Sequence, residues 1–436
     1  MLKTLGKVKI TAGISVMALM LAACSQSPAP AEGNNGTAVK QNDGQIELTF
    51  VNWGTVEAAT KAGYEAMIKG FEDKHPNIKI KSIGVPFNQM LDQLLVMNAG
   101  GSPPDVSVLH GTWTSTMYEA GALEPLDNLL SEDIKKDFYQ NIIQNVTYDG
   151  KLVAAPWTPA PSVIYYNKEL LKKAGISKPP ATLAELREQA AAIAKQGKDE
   201  SGNTIYGMGI QSKRLFNAGF YYLPYIWEQG GDLTDADGNV TLDTPEVVKA
   251  LTETRKLFDN EVTPAGLEIK DLRSLFSQGR LGFHIDIDAY GILLDLSPKK
   301  EKFAEDFGMV RIPEAFFLEY ALGVSPKSEH KEAAAQFVEY LSSSEGMAIY
   351  NANGGNRSPA RDSVAEIEFY KKPENAHMQF YIDAIQQARP LPVRHPGFVK
   401  AMEEVAEAVQ RVGINKEDPA NVVKDLQKKV AKIYGK

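Results

Sequence analysis

The spacing of hydrophobic and polar residues changes several times after residue 45, and each change predicts a new element. Residues 46–50 alternate between apolar and polar side chains, which is typical of a strand. Residues 64–71 place apolar side chains at i, i+3, i+4 and i+7, the stripe of an amphipathic helix. The two patterns then repeat, with strands at 78–80 and 106–108 and a helix at 90–95. Strands that alternate with helices predict an α/β fold with a mostly parallel sheet flanked by helices.

Start signals mark two helices in the middle of the chain. Thr182 precedes an Ala-rich helical pattern over 183–195, and Glu185 completes a capping-box sequence. Thr244 before Pro245 predicts a second helix start, because proline is favoured at the first helical position. Alternation, turn residues and helical spacing also predict strands at 163–166 and 283–287, a hairpin turn at 235–239, and helices at 331–350 and 398–436.

The first 23 residues have the pattern of a secretory signal peptide. Residues 1–9 are basic and contain no acid, residues 10–21 are mostly apolar, and small residues lead to Cys24. The apolar run is shorter than the roughly 20 residues that a membrane span needs. Residues 21–24, Leu-Ala-Ala-Cys, resemble the lipobox of bacterial lipoproteins, and this resemblance implies cleavage before Cys24 and lipid attachment to it.

Cys24 is the only cysteine of the chain, so an internal disulfide is excluded. Each buried methylene of an acyl chain contributes about 0.8 kcal/mol, so two or three acyl chains would hold the protein firmly at a membrane. Residues 24–44 are rich in Ser, Pro, Ala, Gly and Asn, which predicts a flexible tether. We therefore expect an exported protein, anchored to the outer face of the cell membrane, that folds from residue 45 onward.

The chain after the signal peptide is acidic and lacks the motifs of several enzyme classes. Without the three lysines of residues 1–23, the 47 basic residues fall to 44 against 55 acidic ones, which argues against nucleic-acid binding. The six histidines show no metal-ligand spacing, and no G-x-x-x-x-G-K-[ST] phosphate-binding motif is present. We therefore predict no catalytic residue, no metal site and no cofactor, and we assign any coupled ATPase to another chain.

Eight short segments, each weak alone, follow one another in a specific order and spacing. They lie at residues 101–106, 119–127, 148–156, 165–171, 179–182, 227–231, 276–280 and 323–328. In these segments the chain resembles the extracellular solute-binding proteins of ABC importers, in the family 1 cluster of maltose-binding type that takes up sugars and oligosaccharides. The segments are spread over nearly the whole chain after the tether.

The resemblance implies a two-lobed, periplasmic-binding-protein-like α/β fold of type II, with mixed sheets flanked by helices and a ligand cleft between the lobes. The chain would cross between the lobes near 156–157, 312–313 and 356–359, and the lobes would close about these hinges. The predicted boundaries are lobe 1 at 45–155 with 314–356, and lobe 2 at 156–313 with 357–436.

The same resemblance implies the partners of the protein. The ligand would be a carbohydrate, with an oligosaccharide favoured, and the protein would be a monomer. It would deliver the ligand to the transmembrane subunits of an ABC permease that works with a separate ATPase. Residues 281–288 and 314–320 depart from the family pattern near the expected cleft, which indicates an unusual substrate. Two alternatives stay open: a secreted carbohydrate-active enzyme and a ligand receptor for a membrane sensor.

Sugar chemistry selects the candidate ligand-binding residues. Sugars offer apolar faces and rings of hydroxyl groups, so their sites need flat aromatic rings and planar polar groups. In open α/β sheets, such groups follow the carboxyl ends of strands. The candidates that follow from these conditions are Trp53, His110, Trp113, Trp157, Trp227, Asp286, Asp288 and Arg357, with Phe87, Asn88 and Gln89 as weaker ones.

Each candidate also has a purely structural alternative. All four tryptophans are predicted in loops or at element ends, yet each could pack in the core instead. Asp286 and Asp288 are predicted to lie on one face of a strand end, roughly 6.5–7 Å apart. They could accept hydrogen bonds from sugar hydroxyls, form a glycosidase pair, or lie at a solvated strand end. Arg357 could donate to the ligand or form a salt bridge at a hinge.

Overall fold

The computed structural model describes residues 44–435. The predicted signal peptide, the lipid-attachment residue Cys24 and all of the tether except Gly44 lie outside the described residues. Within this range, no helix has both the length and the apolar character that crossing a membrane requires. The first strand begins at Ile46, in agreement with the prediction that regular structure begins near residue 45.

Eleven strands lie within residues 44–435, and nine of them join one sheet. The strands are β1 (Ile46–Asn52), β2 (Ile78–Gly84), β3 (Val106–His110), β4 (Thr147–Tyr148), β5 (Lys151–Leu152), β6 (Ala155–Asn167), β7 (Tyr206–Met208), β8 (Leu281–Ile287), β9 (Phe307–Val310), β10 (Phe316–Val324) and β11 (Arg389–Pro390). The main path of the sheet runs β2-β1-β3-β10-β6-β8-β7, with β9 added beside β6 and β11 beside β10. Strands β4 and β5 form a separate hairpin.

The sheet is parallel towards its two ends and antiparallel in the middle. β1 pairs in parallel with β2 and β3, and β7 pairs in parallel with β8. β10 runs antiparallel to β3 and β6, and β6 runs antiparallel to β8. The α/β class with a mixed sheet is confirmed, whereas the mostly parallel sheet predicted from strand–helix alternation is wrong at the centre. The central strands pair with partners far away in sequence, and local periodicity carries no information about their direction.

Strand β6 runs through both halves of the sheet although it contains three prolines. Its first part, 155–161, pairs with β10, and its second part, 162–167, pairs with β8 and β9. Proline cannot donate a backbone hydrogen bond, so a proline-rich segment is typical of a loop or of an edge strand. Only 163–166 were predicted as a strand for this reason. The prediction that Trp157 lies in a loop or at an element end is wrong, because Trp157 lies inside β6.

Helices flank the sheet on the connections between strands. The α-helices are α1 (Lys61–Lys74), α2 (Phe87–Ala99), α3 (Thr114–Glu119), α4 (Glu132–Asp137), α5 (Gln140–Ile143), α6 (Lys168–Lys173), α7 (Leu183–Ala194), α8 (Phe216–Phe220), α9 (Leu223–Glu228), α10 (Pro245–Asp259), α11 (Ile269–Ser277), α12 (Tyr290–Leu296), α13 (Phe303–Asp306), α14 (Lys331–Leu341), α15 (Ser344–Ala352), α16 (Asp362–Ala365), α17 (Glu368–Lys371), α18 (Ala376–Ile385), α19 (Phe398–Gly413) and α20 (Pro419–Ile433). Short 3-10 helices lie at Gly111–Trp113, Gln144–Val146, Lys300–Lys302 and Pro373–Asn375.

The predicted helix starts are confirmed at α7 and α10. The Thr182 side chain accepts a hydrogen bond from Glu185 N at 3.1 Å, and the Thr244 side chain accepts one from Val247 N at 3.4 Å. The capping box at α7 differs in one bond, because Glu185 Oε2 accepts from the backbone of Ala181 rather than from that of Thr182. Each of these caps stabilises its helix end by roughly 1 kcal/mol.

Strand β11 brings a late part of the chain to the centre of the sheet. Arg389 pairs with Phe316 and Pro390 pairs with Phe317, so β11 lies beside β10. Residues 356–359, which were predicted as the third crossing between lobes, belong to no strand. The positions of the crossings and the lobe boundaries stay predictions.

Candidate functional site

Five ring-bearing side chains form one continuous cluster, which we call the aromatic patch: Trp53, Phe87, His110, Trp113 and Tyr320. Trp53 follows β1, His110 ends β3, and Trp113 lies in the 3-10 helix directly after β3. Phe87 is the first residue of α2, and Tyr320 lies in β10, where it pairs with His110. Because β1 and β3 are parallel neighbours, their carboxyl ends bring Trp53 and His110 to the same edge of the sheet.

The rings of the aromatic patch are centred on Trp53. Its ring centroid lies 5.4 Å from that of Phe87, 5.5 Å from that of Tyr320 and 5.9 Å from that of Trp113. The contacts with Phe87 and Trp113 are edge to face, an arrangement that contributes roughly 0.5–1.5 kcal/mol per pair beyond burial. Phe87 and Tyr320 are partly exposed, whereas Trp53 and Trp113 are 7% and 6% exposed. Phe87 and Tyr320 are therefore the rings that the patch exposes, and the buried rings of Trp53, Trp113 and His110 hold them in position.

His110 is held in the aromatic patch as a neutral ring. Its ring centroid lies 5.2 Å from that of Trp113 and 5.5 Å from that of Tyr320, and its Nδ1 is 2.8 Å from the hydroxyl of Thr112. Burial lowers the pKa of His110 to about 3, because the charged imidazolium would lose its hydration. At neutral pH, His110 therefore adds no positive charge to the patch.

An ion pair lies against one ring of the patch. Arg357 Nη1 donates to Asp288 Oδ2 at 2.8 Å, and the guanidinium carbon lies 5.3 Å from the centre of the Tyr320 ring. Burial raises the pKa of Asp288 to about 6, against the opposing effect of Arg357. Asn351 fixes the backbone of Arg357, since it accepts from Arg357 N at 2.7 Å and donates to Arg357 O at 3.1 Å. The Arg357 side chain is 27% exposed, whereas the Asp288 side chain is 3% exposed.

Two residues with left-handed backbone conformation position this ion pair. Asp288 has a φ of 45°, and Asn356, directly before Arg357, has a φ of 50°. Residues other than glycine rarely adopt this conformation, and Asn and Asp tolerate it best. The turn at Asp288 ends the alternation of β8 at Ile287. Asp286 and Asp288 therefore occupy different environments, and the prediction from strand alternation that they share a face does not apply to them.

Asp286 is the centre of a buried network and has no exposed surface. Arg273 donates to it twice, from Nε to Oδ2 at 2.6 Å and from Nη2 to Oδ1 at 2.9 Å. Tyr221 donates to Oδ1 at 2.9 Å, Ile287 N donates to Oδ1 at 2.8 Å, and the His284 ring lies 2.8 Å from Oδ2. Burial opposes ionisation, but Arg273 and His284 hold the pKa of Asp286 well below its usual range. Both oxygens of Asp286 are thus used within the protein.

Trp157 and Trp227 lie outside the aromatic patch. Trp157 is 2% exposed and donates its indole N–H to Leu341 O at 3.0 Å. Trp227, near the end of α9, donates to Asp232 Oδ1 at 3.0 Å, and the Arg389 guanidinium carbon lies 4.4 Å from its ring centre. The indole N–H groups of both residues are therefore occupied within the protein. Their predicted role in ligand binding stays a prediction, and their contacts favour the structural alternative.

Three residues of the site were not among the sequence-based candidates: Tyr320, Tyr221 and Arg273. Tyr320 is the last residue of the segment 314–320. The departure of this segment from the family pattern is the sequence feature that could have pointed to Tyr320. Tyr221 and Arg273 gave no local signal, because their contacts with Asp286 depend on the packing of α8 and α11 against β8.

Among the residues that the structure describes, no group of three or more His, Cys, Asp or Glu side chains is placed to hold a metal ion. The acidic segment 235–239 forms the predicted hairpin turn. Asp235 Oδ1 accepts from the backbone N–H groups of Asp237 and Asn239 at 3.0 and 2.8 Å, and Thr234 bridges to Val240 across the turn.

Trp157→Phe is expected to lower the free energy of unfolding by about 1–2 kcal/mol and to leave ligand binding unchanged. The substitution removes the hydrogen bond to Leu341 O but keeps an aromatic ring against Tyr64 and Tyr350. Urea unfolding and ligand titration of the same preparation measure the two effects. A loss of binding at unchanged stability would contradict the placement of Trp157 outside the site.

A buried acid, Glu319, lies next to Tyr320 in β10 and has no exposed surface. Asn145 Nδ2 donates to its Oε2 at 3.3 Å, whereas Oε1 has no hydrogen-bond partner among the described residues. A Cβ atom at Gly111 would lie 2.7 Å from the Glu319 carboxyl carbon, so only glycine leaves room for this carboxyl group. Burial raises the pKa of Glu319 to about 7.

Glu319→Gln is expected to change how stability depends on pH. A Glu side chain has a pKa of about 4.3 in the unfolded chain. Because the pKa of Glu319 is higher in the fold, protonated Glu319 contributes stability, and this contribution is complete below about pH 4.3. This contribution is lost as the pH rises through about 7. From pH 5 to pH 8, the free energy of unfolding of the variant should therefore rise by about 2–3 kcal/mol relative to that of the unmodified protein. Urea unfolding of both proteins at pH 5 and at pH 8 measures this change. If the difference in stability between the two proteins is the same at both pH values, the raised pKa of Glu319 is contradicted.

Comparisons with known proteins identify the family of this chain. A family model described as bacterial extracellular solute-binding protein matches residues 54–348. A putative binding protein of Brucella abortus is 26% identical, with 99% of this chain and 98% of that protein covered. The diacetylchitobiose binding protein of Streptomyces coelicolor is 27% identical, with 78% of this chain and 79% of that protein covered.

A solved structure shows the same fold. The GacH receptor of Streptomyces glaucescens, determined unliganded and with acarbose, superposes with a TM-score of 0.76 at 24% identity. The superposition covers 90% of this chain and 99% of that receptor. The predicted two-lobed fold of the maltose-binding type is therefore confirmed. Since the family model spans more than half of the sequence, this chain belongs to the bacterial extracellular solute-binding proteins.

Proposed function

We propose that this protein is the lipid-anchored substrate-binding subunit of an ABC importer and that it binds a carbohydrate at the aromatic patch. The observation that carries the proposal is the combination of fixed aromatic rings with the partly exposed Arg357 side chain, which pairs with Asp288 beside Tyr320. Rings offer flat apolar surfaces to the C–H faces of a sugar, and Arg357 offers hydrogen-bond donors to its hydroxyl groups. An oligosaccharide is the ligand that we propose, in line with the related diacetylchitobiose binding protein of Streptomyces coelicolor.

Capture by closure of two lobes is the mechanism that we propose. The lobes would comprise 45–155 with 314–356, and 156–313 with 357–436. Strand β6 supports a division into two lobes, because it pairs with β10 in its first part and with β8 in its second. The change of partner falls between residues 161 and 162, six residues after the boundary predicted at 155–156. A ligand that contacts both sides of the cleft would stabilise the closed form. The closed monomer would then dock on the transmembrane subunits of a permease that works with a separate ATPase.

Anchoring through Cys24 would keep the binding protein near that permease. The chain has the order of regions expected for this arrangement: a signal peptide at 1–23, Cys24, a polar tether to residue 44, and the folded part. A Cys24→Ser protein should keep ligand affinity in solution and lose uptake in cells. Equal uptake by the two proteins would contradict a role of the anchor.

The carbohydrate part of the proposal is tested by calorimetric titration of the Cys24→Ser protein with a panel of glycans. We expect at least one oligosaccharide to bind with a Kd in the micromolar range or below, about −8 kcal/mol. Amino acids, short peptides and polyamines serve as the comparison set. Binding of one of these and of no glycan would contradict the carbohydrate ligand while leaving a binding function.

A carbohydrate-active enzyme is not favoured by the two carboxyl groups, although Asp286 and Asp288 have very different pKa values. Asp286 has no exposed surface and both of its oxygens accept internal hydrogen bonds, so a substrate does not reach it. We therefore expect the bound glycan to be recovered intact after prolonged incubation. A receptor for a membrane sensor would also bind the glycan, and the uptake experiment with Cys24→Ser distinguishes it from an importer subunit.

A further inference from the structure

Four of the five rings of the aromatic patch form a closed cycle. The Trp53 ring centre lies 5.4 Å from that of Phe87 and 5.5 Å from that of Tyr320. The His110 ring centre also lies 5.4 Å from that of Phe87 and 5.5 Å from that of Tyr320. Within residues 44–435, no ring contact joins Phe87 directly to Tyr320. Phe87 and Tyr320 therefore occupy opposite corners of the cycle.

Exposure distinguishes the two pairs of opposite corners. Trp53 and His110 are buried, whereas Phe87 and Tyr320 are partly exposed. The planes of the Phe87 and Tyr320 rings are inclined by 71° and 73° to the plane of the His110 ring. The cycle therefore has a buried floor of two rings, and the two exposed rings rise steeply from this floor on opposite sides.

The spacing of the cycle suits one flat ring held between Phe87 and Tyr320. Carbon atoms in contact lie about 3.5–4.0 Å apart, so a ring between two others needs about 7–8 Å from one outer ring to the other. The Phe87 and Tyr320 centres each lie within 5.5 Å of the His110 centre, so they are at most twice that distance apart. A square with sides of about 5.5 Å has a diagonal of about 8 Å, which matches the space that such a ring needs.

The side chains of the cycle restrict the groups that a ligand can present to it. Both faces of a ring held between Phe87 and Tyr320 would lie against aromatic carbon, where a hydroxyl group without a hydrogen-bond partner costs affinity. Beside Tyr320, the guanidinium carbon of Arg357 lies 5.3 Å from the ring centre, and its N–H groups are donors for hydroxyl groups at the edge of the ligand. The site therefore favours a ring with apolar faces and a polar edge.

We propose that Phe87 and Tyr320 clamp one sugar ring between them, and that this clamp selects pyranoses whose free hydroxyl groups are all equatorial, as in glucose, xylose and N-acetylglucosamine. The inference rests on the proposed function, because it concerns the ligand of the same site. In these sugars, C–H bonds cover both faces of the ring and the hydroxyl groups extend from its edge. An axial hydroxyl group, such as O2 of mannose, points out of one face and would lose its hydration against Phe87 or Tyr320.

The selection is tested with pairs of trisaccharides that differ only in the orientation of O2. Cellotriose, maltotriose and isomaltotriose are each titrated beside the mannose trisaccharide of the same linkage, and xylotriose and chitotriose complete the all-equatorial set. We expect the tightest ligand of that set to bind at least about tenfold more tightly than any of the mannose trisaccharides, because an axial hydroxyl group is left without a partner.

The outcomes separate this inference from the proposed function. A mannose trisaccharide that binds as tightly as the best all-equatorial sugar would overturn the clamp and leave the carbohydrate function. Binding only of glycans with axial hydroxyl groups would do the same. If no glycan binds, the proposed function fails and this inference fails with it.

Variants of Phe87 test the clamp from the side of the protein. Phe87→Ala is expected to weaken binding of the tightest all-equatorial sugar about tenfold, because one of two stacking contacts is lost, whereas Phe87→Tyr keeps the ring and should bind normally. Phe380→Ala is the matched control, since it removes a partly exposed phenylalanine from α18, where the ring lies beside Arg311. Its affinity should stay within about threefold of the unmodified protein. Normal affinity in a Phe87→Ala protein that thermal unfolding shows to be folded would overturn the clamp.

Discussion

Asp286→Ala is expected to lower the free energy of unfolding by about 3–5 kcal/mol, because it breaks a buried ion pair and leaves one partner uncompensated. Arg273 would lose both hydrogen bonds to Asp286, and Tyr221 and His284 would lose theirs. The same network makes a prediction about pH. Since the pKa of Asp286 is depressed in the fold, its contribution is full above about pH 4 and is lost as the pH falls below that value.

Urea unfolding of the variant and of a matched control measures this effect. Asp295→Ala also removes an aspartate that pairs with a cation, Lys300, but Asp295 is 78% exposed. Its cost should stay below about 0.5 kcal/mol, as is usual for exposed ion pairs. A similar small change in Asp286→Ala would contradict the structural role that we assign to the Asp286 network.

Trp53→Ala is expected to weaken glycan binding by about 100-fold, the size of effect seen when a central aromatic residue of an interface is truncated. Trp53 contacts Phe87, Trp113 and Tyr320, so its removal opens the centre of the aromatic patch. Trp53→Phe keeps an aromatic ring and should retain part of the affinity. Calorimetric titration with the glycan found in the panel measures both variants, and thermal unfolding checks that each is folded at the temperature of the titration.

Trp227→Phe is the matched control, because Trp227 is equally buried but lies outside the patch. Its affinity should stay within about threefold of the unmodified protein, since it makes no contact with the patch residues. A loss of binding in Trp227→Phe, together with normal binding in a folded Trp53→Ala protein, would show that the ligand binds outside the aromatic patch.

Local signals in the sequence predicted much of the fold. The N-cap residues Thr182 and Thr244 begin α7 and α10 as expected, because a cap and its partner lie within one helical turn. The alternation at 283–287 predicted β8 for a similar reason. Strand β6 was harder to predict, because its prolines suppress the strand pattern while its pairing with β10 and β8 is decided by distant residues.

The candidate site could be predicted only in part. Trp53, His110 and Trp113 were found because each follows the carboxyl end of a predicted strand, and the structure brings all three together. Asp286 and Asp288 are two residues apart, and their different environments depend on the left-handed turn at Asp288 and on Arg273. The spacing of the two residues in the sequence predicts neither the left-handed turn at Asp288 nor the contact of Asp286 with Arg273.

A crystal structure of the Cys24→Ser protein with its glycan would show whether the ligand binds at the aromatic patch. We expect a sugar ring in van der Waals contact with Trp53, Trp113 or Tyr320, and a sugar hydroxyl within hydrogen-bond distance of Arg357 or Asp288. A glycan bound elsewhere, with the aromatic patch and the Arg357–Asp288 ion pair free of ligand, would contradict it.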